Sequence, residues 1–237
     1  MLFIGSANGN AAVGATLVTC SSTLNVQVGD ILVAGIGGNV GPLRSYLIED
    51  TNGDNTLVSK GTTTEYEHVN FQVLDSADTA NATATFDAVI TGGSINDNIE
   101  LTVLQFRPEA GEAPTLLTVP ALAESGWGKN PTSNSISSTE TDSLWVGVAF
   151  NDRADITAHQ IAGSAADGVV LGSVNNMDLS YSILNSVQTT KTHSTTSGNG
   201  KWGAGIIVFD IAVSAGSTGK SNPLMGCLGG SLSGAIA

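Results

Sequence analysis

The chain has 237 residues, of which 41% are hydrophobic and 12% charged, and 21 acidic against 8 basic side chains give it a net charge of -13. The hydrophobic content excludes a disordered polymer, because such chains cannot bury enough apolar surface to fold. The negative charge disfavours nucleic-acid binding, since a phosphate backbone would be repelled. The first ten residues lack the basic segment of a signal peptide, and no apolar run is long enough to span a membrane. We therefore expect a soluble intracellular product or one released by lysis.

Strand signals fill the first half of the chain. Short runs of β-branched and aromatic residues recur between Gly, Asn, Asp and Ser clusters, with almost no helical periodicity. Residues 30–36 (DILVAGI) form a continuous apolar run, as do residues 144–150 (LWVGVAF) and 205–211 (GIIVFDI) in the second half. Such runs predict central strands that are covered on both sides or lie at a subunit contact. Residues 69–76 (VNFQVLDS) alternate instead, which predicts one buried and one wet face of an antiparallel sheet. The side chains expected to be buried are Val69, Phe71 and Val73, and those expected to be wet are His68, Asn70 and Gln72.

The turn DTNGDN has part of the spacing of a calcium loop. Asp50, Asn52 and Asp54 stand at its first, third and fifth positions. The pattern then fails, because Asn55 replaces the sixth-position glycine and Gly61 replaces the glutamate of the twelfth position. A polar hairpin turn is the favoured interpretation, since Asn-Gly and Asp-Asn pairs are common hairpin connectors. We expect no metal site, and calcium binding by Asp50, Asn52 and Asp54 stays open as the alternative.

Prolines gather in the middle of the chain, at Pro108, Pro114, Pro120 and Pro131. A missing amide donor and a fixed φ would break a sheet ladder at each of them. Residues 108–134 are therefore expected to form a crossover without strands.

The second half repeats the strand pattern of the first half in the same order. The matched segments are 30–36 with 143–149, 45–50 with 158–163, 69–76 with 179–186, and 99–106 with 204–211. In the alternating strand MDLSYSILNS the side chains expected inside are Met177, Leu179, Tyr181 and Ile183, and those expected outside are Asp178, Ser180 and Ser182. The pattern predicts an antiparallel jelly-roll β-sandwich of about eight strands. The repeat favours two duplicated four-strand halves, residues 1–107 and 135–213, in a single domain spanning residues 1–213.

From Ser214 the composition changes to a Gly- and Ser-rich linker with an apolar tail, residues 214–237. Its glycines argue against a stable free helix, and its apolar side chains are poorly suited to water. One interpretation is a disordered chain end; the other is a tail that orders on a neighbouring subunit. On the second interpretation the partner-binding residues are Leu224, Met225, Leu228, Leu232 and Ile236.

No cluster of residues indicates a reaction. His68, His159 and His193 lie in no nucleophile motif, and all three are expected at the surface. Cys20 and Cys227 lie near opposite ends of the chain, with no Cys or His at metal spacing. A disulfide between them stays open, and two ordinary apolar side chains are the simpler interpretation. We expect no catalytic residues and no cofactor, and the chain is not expected to be an enzyme.

Three tryptophans are candidates for a sugar-stacking surface. Trp145 lies inside an apolar strand and is expected in the core. Trp127 and Trp202 have glycine neighbours and are freer to be exposed. Together with the turn at Asp50, they form the candidate surface of a carbohydrate-binding module.

Several segments together resemble a group of phage-encoded and metagenomic structural proteins. They are the strand LNVQVGDILVAGI, the turn IEDTNGDN, the strand VNFQVLDS, the threonine-alternating ATATFDAVI and the strand ending in LTVLQF. The resemblance covers most of the chain and departs from the group where Asp54 separates Gly53 from Asn55. It implies a jelly-roll virion component, such as a capsid decoration, a head or tail appendage or a receptor-binding module, and it carries over no catalytic residues.

Two functions from different classes follow. The first is a structural virion protein of a bacteriophage, made in the host cytoplasm, that assembles with copies of itself and with other virion proteins. The second is a lectin-like carbohydrate-binding or host-adhesion module, whose partners would be host glycans. The scarcity of titratable residues, the Thr- and Asn-rich strands and the apolar tail favour the first.

Overall fold

The computed structural model describes residues 1–12, 14–38, 45–52, 54–63, 68–91, 99–117, 120–172 and 176–213. Within them the regular structure is all β and every strand pair is antiparallel, which confirms the all-β, antiparallel part of the predicted fold. This described part contains no helix, and so none with the length and apolarity needed to cross a membrane. The strands are β1 (Leu2–Ala11), β2 (Leu17–Thr19), β3 (Leu24–Val26), β4 (Ile31–Gly38), β5 (Ser45–Asp50), β6 (Thr56–Thr62), β7 (His68–Leu74), β8 (Asn81–Ala84), β9 (Phe86–Thr91), β10 (Ile99–Arg107), β11 (Glu112–Leu116), β12 (Ala121–Gly128), β13 (Ser143–Asn151), β14 (Thr157–Ile161), β15 (Ser164–Ala165), β16 (Gly168–Leu171), β17 (Met177–Leu184), β18 (His193–Thr196) and β19 (Gly200–Val213).

Eight strands form a nearly closed barrel in the order β1-β10-β4-β7-β6-β5-β9-β2. Its two end strands meet at a seam, where the Ser21 amide donates to the Asn8 carbonyl at 2.8 Å. Successive side chains of a strand point to opposite faces of the sheet, so every second residue faces the barrel interior. That interior is filled by apolar side chains, among them Leu32, Ile48, Phe86 and Leu101.

A second sheet, in the order β11-β19-β13-β17-β16 with β12 also paired to β19, covers one side of the barrel. The apolar layer between the two sheets includes Val33, Phe71, Phe106, Val146 and Phe209. A small third sheet, β15-β14-β18, contributes to the cover of the other face of the second sheet. Three layers therefore leave the central strands of the middle sheet, β13 and most of β19, buried on both sides.

This layering explains which burial predictions hold. β4, β13 and most of β19 are buried on both faces, as their apolar runs predicted, and Trp145 is fully buried. The predicted wet faces are wrong. Gln72 is buried, and its amide donates to the Tyr46 carbonyl at 2.7 Å. Four other side chains that were expected to be wet are also buried: Asn70, Asp178, Ser180 and Ser182. Ile183, which was expected inside, is 36% exposed.

Residues 108–134 contain two strands, β11 and β12, where the prolines predicted none. Both pair with β19, β12 along its first part and β11 along its last part. Pro114 is tolerated in β11 because an edge strand needs ladder hydrogen bonds on one side only. The described residues form 19 strands in all, where about eight were expected.

Three of the four matched segment pairs occupy equivalent places. β10-β4-β7 and β19-β13-β17 are adjacent triplets in the same order. Matched residues such as Val33 and Val146 face the same layer between the sheets. The fourth pair differs, because β5 belongs to the barrel whereas β14 lies in the third sheet.

Candidate functional site

The predicted partner-binding tail lies outside the described residues. This holds for Leu224, Met225, Leu228, Leu232 and Ile236. Their role stays a prediction, but the described part of the chain presents a surface of matching chemistry.

An apolar row crosses the outer face of the barrel on β2, β9, β5 and β6. The register places Leu17 and Leu47 on either side of Val89, and the pairing of β5 with β6 puts Val58 beside Leu47. Leu17, Leu47 and Val58 are 47%, 44% and 56% exposed. These four residues are named the open row.

The open row continues an apolar row that the second sheet covers. Val58 pairs with Val73, Val73 pairs with Val33, and Val33 pairs with Leu104. The last three side chains are buried in the layer beneath the second sheet. The barrel therefore carries one apolar belt, part of which is covered by its own chain and part of which faces solvent. A contiguous exposed apolar patch of this kind is typical of an interaction site.

Polar side chains border the open row on both sides. Along one border Asp87 pairs with both Glu49 and Thr19, so two carboxylates lie there. Along the other border the hydroxyl groups of Ser45 and Thr91 share a hydrogen bond. An apolar row with an acidic border favours a partner that is apolar and carries no negative charge.

The two tryptophans that were candidates for sugar binding, Trp127 and Trp202, differ in their exposure to solvent. Trp127 lies in an irregular stretch of β12 between Ser125 and Gly128 and is 58% exposed. The guanidinium carbon of Arg153 lies 5.1 Å from its ring centroid, which is a cation–π contact. Trp202 is on the neighbouring strand but is partly buried in a small apolar cluster. Only one of the two candidate sugar-binding tryptophans is therefore presented to solvent.

The turn at Asp50 is a hairpin turn between β5 and β6, as favoured from the sequence. Asp50 is buried; its Oδ1 accepts from the Asp54 amide at 3.0 Å, and its Oδ2 accepts from the side-chain amides of Asn55 at 2.9 Å and Asn81 at 3.2 Å. Burial opposes ionisation, but these hydrogen bonds hold the pKa of Asp50 below its ordinary value. Both oxygens are thus engaged by groups of the turn, and Oδ2 also by Asn81 of β8. Among the described residues no cluster of three or more His, Cys, Asp or Glu is arranged to hold a metal ion.

A buried carboxylate connects the second and third sheets. Asp178 of β17 is fully buried; its Oδ2 accepts a hydrogen bond from His159 Nδ1 at 2.8 Å and lies 3.3 Å from His193 Nε2. Burial opposes ionisation, but attraction to His193 and hydrogen bonds from both imidazoles hold the pKa of Asp178 below its ordinary value. His193 packs against Gly147, where a Cβ would lie 2.8 Å from the His193 Cβ and closer still to its ring. The absence of a side chain at Gly147 therefore makes room for the imidazole.

The surface prediction for the histidines is wrong for His193, which is fully buried, and for His159, whose side chain is only 13% exposed. The side chain of His68 lies outside what the structure describes. The cluster is not a catalytic triad, although Ser180 Oγ lies 3.0 Å from His193 Nε2. Asp178 approaches that same nitrogen, whereas a relay needs the carboxylate on the opposite ring nitrogen. With Asp178, Ser180 and His193 fully buried, the cluster holds sheets together.

A further buried carboxylate, Asp30, ties the start of β4 to the end of β10. It accepts hydrogen bonds from Arg107 Nε at 2.7 Å and from a terminal guanidinium nitrogen at 2.8 Å, and also from the Gln105 amide. Burial opposes ionisation, but the bonds from Arg107 and Gln105 hold the pKa of Asp30 below its ordinary value. A groove of about 480 Å³ beside Arg107 is also lined by Asp75 and Glu112. Because Asp30 already engages the guanidinium, the structure indicates a bracing role for this pair.

Acid is expected to destabilise the protein through these three aspartates. The folded-state pKa values of Asp30, Asp50 and Asp178 lie below the ordinary value of 3.8, so their contribution is fully present above that pH and is lost as the pH falls through the lower folded values. Urea unfolding measured between pH 7 and pH 2 should show a decline below about pH 4. Asp50→Asn should show a shallower decline, and stability that rises from pH 4 to pH 2 would contradict the assignment.

Cys20 is buried inside the barrel and forms no disulfide within the described residues. Burial and the nearby Asp87 carboxylate raise the pKa of its thiol to about 12. Such a thiol is unreactive and serves as a small apolar side chain. Cys227 lies outside the described residues.

Comparison with models of known protein families, with curated proteins and with solved structures finds no match for this chain.

Proposed function

We propose that the chain is a structural virion protein of a bacteriophage, either a capsid decoration (cement) protein or a head or tail appendage. It acts by self-assembly and by contacts with other virion proteins. The virion assignment is supported by the likeness of its strand sequence to phage structural proteins. The assembly assignment is supported by the open row, because a rigid barrel that leaves part of its apolar belt in solvent is suited to binding another protein surface.

The jelly-roll origin belongs to the same proposal. The equivalent triplets β10-β4-β7 and β19-β13-β17 support an ancestral half that was duplicated. On this view the barrel and the second sheet descend from one unit, and the apolar layer between them is the contact that the duplication created.

Sedimentation velocity of the full chain tests the assembly assignment. We expect species with masses that are multiples of the 24.0 kDa chain, trimers or larger at high concentration. Deletion of residues 221–237 should shift the distribution towards the monomer. A 24.0 kDa species alone at every concentration, unchanged by the deletion, would overturn the proposal.

Glycan binding is the second candidate, and the exposed Trp127 with Arg153 beside it is the observation that favours it. If this surface binds sugar, Trp127→Ala should weaken binding to the glycans that the wild type retains on an array by about tenfold. Val187→Ala, at another exposed apolar side chain, should bind as the wild type does. Equal binding by Trp127→Ala and the wild type would remove this candidate.

A further inference from the structure

We infer that the open row is the docking site for residues 221–237 of a neighbouring copy of the chain. The inference rests on the proposed function, because it names the contact through which self-assembly occurs. The row offers leucine and valine side chains, so its occupant must supply apolar groups. The tail supplies five of them: Leu224, Met225, Leu228, Leu232 and Ile236.

Charge favours the tail over a second copy of the same barrel face. The whole chain carries a net charge of -13, so two copies repel one another unless the contact itself avoids negative charge. Face-to-face contact of two open rows would bring the Glu49 and Asp87 borders of both copies together, which like-charge repulsion disfavours. After Val213, by contrast, Lys220 is the only charged side chain. It stands just before the apolar run, where it can be attracted to the acidic border.

The tail is long enough to cover the row. Four adjacent strands span about 14 Å from the first to the last. A segment from Leu224 to Ile236 extends to at most about 45 Å. The segment can therefore cross the whole row and still place several apolar side chains on it.

The position of the row favours a neighbouring copy over the tail's own barrel. Val213 ends β19, which lies in the second sheet. The second sheet packs on the β10, β4 and β7 side of the barrel, whereas the open row lies on β6, β5, β9 and β2. A tail that bound its own row would have to leave the second sheet and reach barrel strands outside the β10-β4-β7 side on which that sheet packs. A tail that binds a neighbour's row instead links copies into an assembly.

Two variants test the open row and the tail independently of each other. The first, Leu17→Thr/Leu47→Thr/Val58→Thr, replaces the three side chains with threonine, a β-branched residue suited to strands, and retains the tail. The second lacks residues 221–237 and retains the open row. A matched control, Val169→Thr/Leu171→Thr, changes two exposed apolar side chains of β16. Circular dichroism and urea unfolding check that all three variants fold as the wild type does.

We expect the triple variant and the deletion each to weaken self-association by about a hundredfold, while the control associates like the wild type. Mixed together, the triple variant and the deletion should bind one another, because one supplies the tail and the other the row. Wild-type self-association that survives in the triple variant would overturn the docking site but leave the proposed function standing. Failure of the two variants to bind in the mixture would overturn docking between copies. A wild type that never self-associates would overturn the proposed function itself.

Discussion

Asp178→Ala is expected to lower the free energy of unfolding by about 3–5 kcal/mol, the usual cost of removing one partner from a buried charged cluster. The reason is that His159 and His193 both contact a single oxygen of a carboxylate that is fully buried. Urea unfolding at pH 7 measures the loss. Hydrogen exchange should locate it, with amides of β14 and β18 exchanging faster than those of the barrel.

The control for this variant is Asp155→Ala, which removes an exposed carboxylate from the connection between β13 and β14. It is expected to change stability by no more than about 0.5 kcal/mol. A loss in Asp178→Ala as small as that in Asp155→Ala would show that the third sheet is held by its apolar contacts alone.

Gly9→Ala is expected to destabilise the protein by about 3 kcal/mol, at the upper end of ordinary overpacking. A Cβ at Gly9 would lie 2.7 Å from the carbonyl carbon of Thr19 and closer still to its oxygen. Both are backbone atoms, so β1 and β2 would have to separate and the barrel seam would open. Thermal or urea unfolding measures the effect.

Gly5→Ala, in the same strand, is the matched control. Its Cβ would meet only a methyl group of Leu24 at 3.5 Å, an ordinary contact. We expect a change of no more than about 0.5 kcal/mol. Equal stability of the Gly5 and Gly9 variants would mean that the seam between β1 and β2 is loose.

Local pattern was enough to identify the central strands and several of their deeply buried side chains, although it missed β11 and β12. Trp145 and the run around Val33 were expected in the core because continuous apolar segments suit strands covered on both sides, and both are buried. Alternation also placed Phe71 correctly. Whether such a side chain is buried depends on its own strand and on the layer next to it. The order of apolar and polar residues within that strand is enough to predict this.

The polar faces could not be predicted in the same way, because alternation reveals that two faces differ but not what covers the polar one. Asp178 and Ser180 alternate with apolar residues as in a half-exposed strand, yet the third sheet buries them. Their partner His193 comes from a different strand in that sheet. The pairing depends on tertiary layering that no single segment specifies.

The open row could not be predicted from the sequence, for a related reason. Leu17, Leu47, Val58 and Val89 lie far apart in the chain and become neighbours only through the register of four strands. In its own strand each of these residues is a single exposed apolar side chain, or a half-buried one in the case of Val89, which is normal on a protein surface. The open row is recognisable only because the four residues lie side by side, and their positions can be known only from the order and register of the strands.

Carbene footprinting of the full chain over a range of concentrations tests most directly whether the open row is the assembly surface. Labelling of Leu17, Leu47 and Val58 should be high in the dilute monomer and should fall as the protein associates, while labelling of Val169 stays constant. In the chain lacking residues 221–237 all four side chains should remain labelled at every concentration. An assembled wild type whose Leu17, Leu47 and Val58 are labelled as strongly as in the monomer would show that the open row is not the assembly surface.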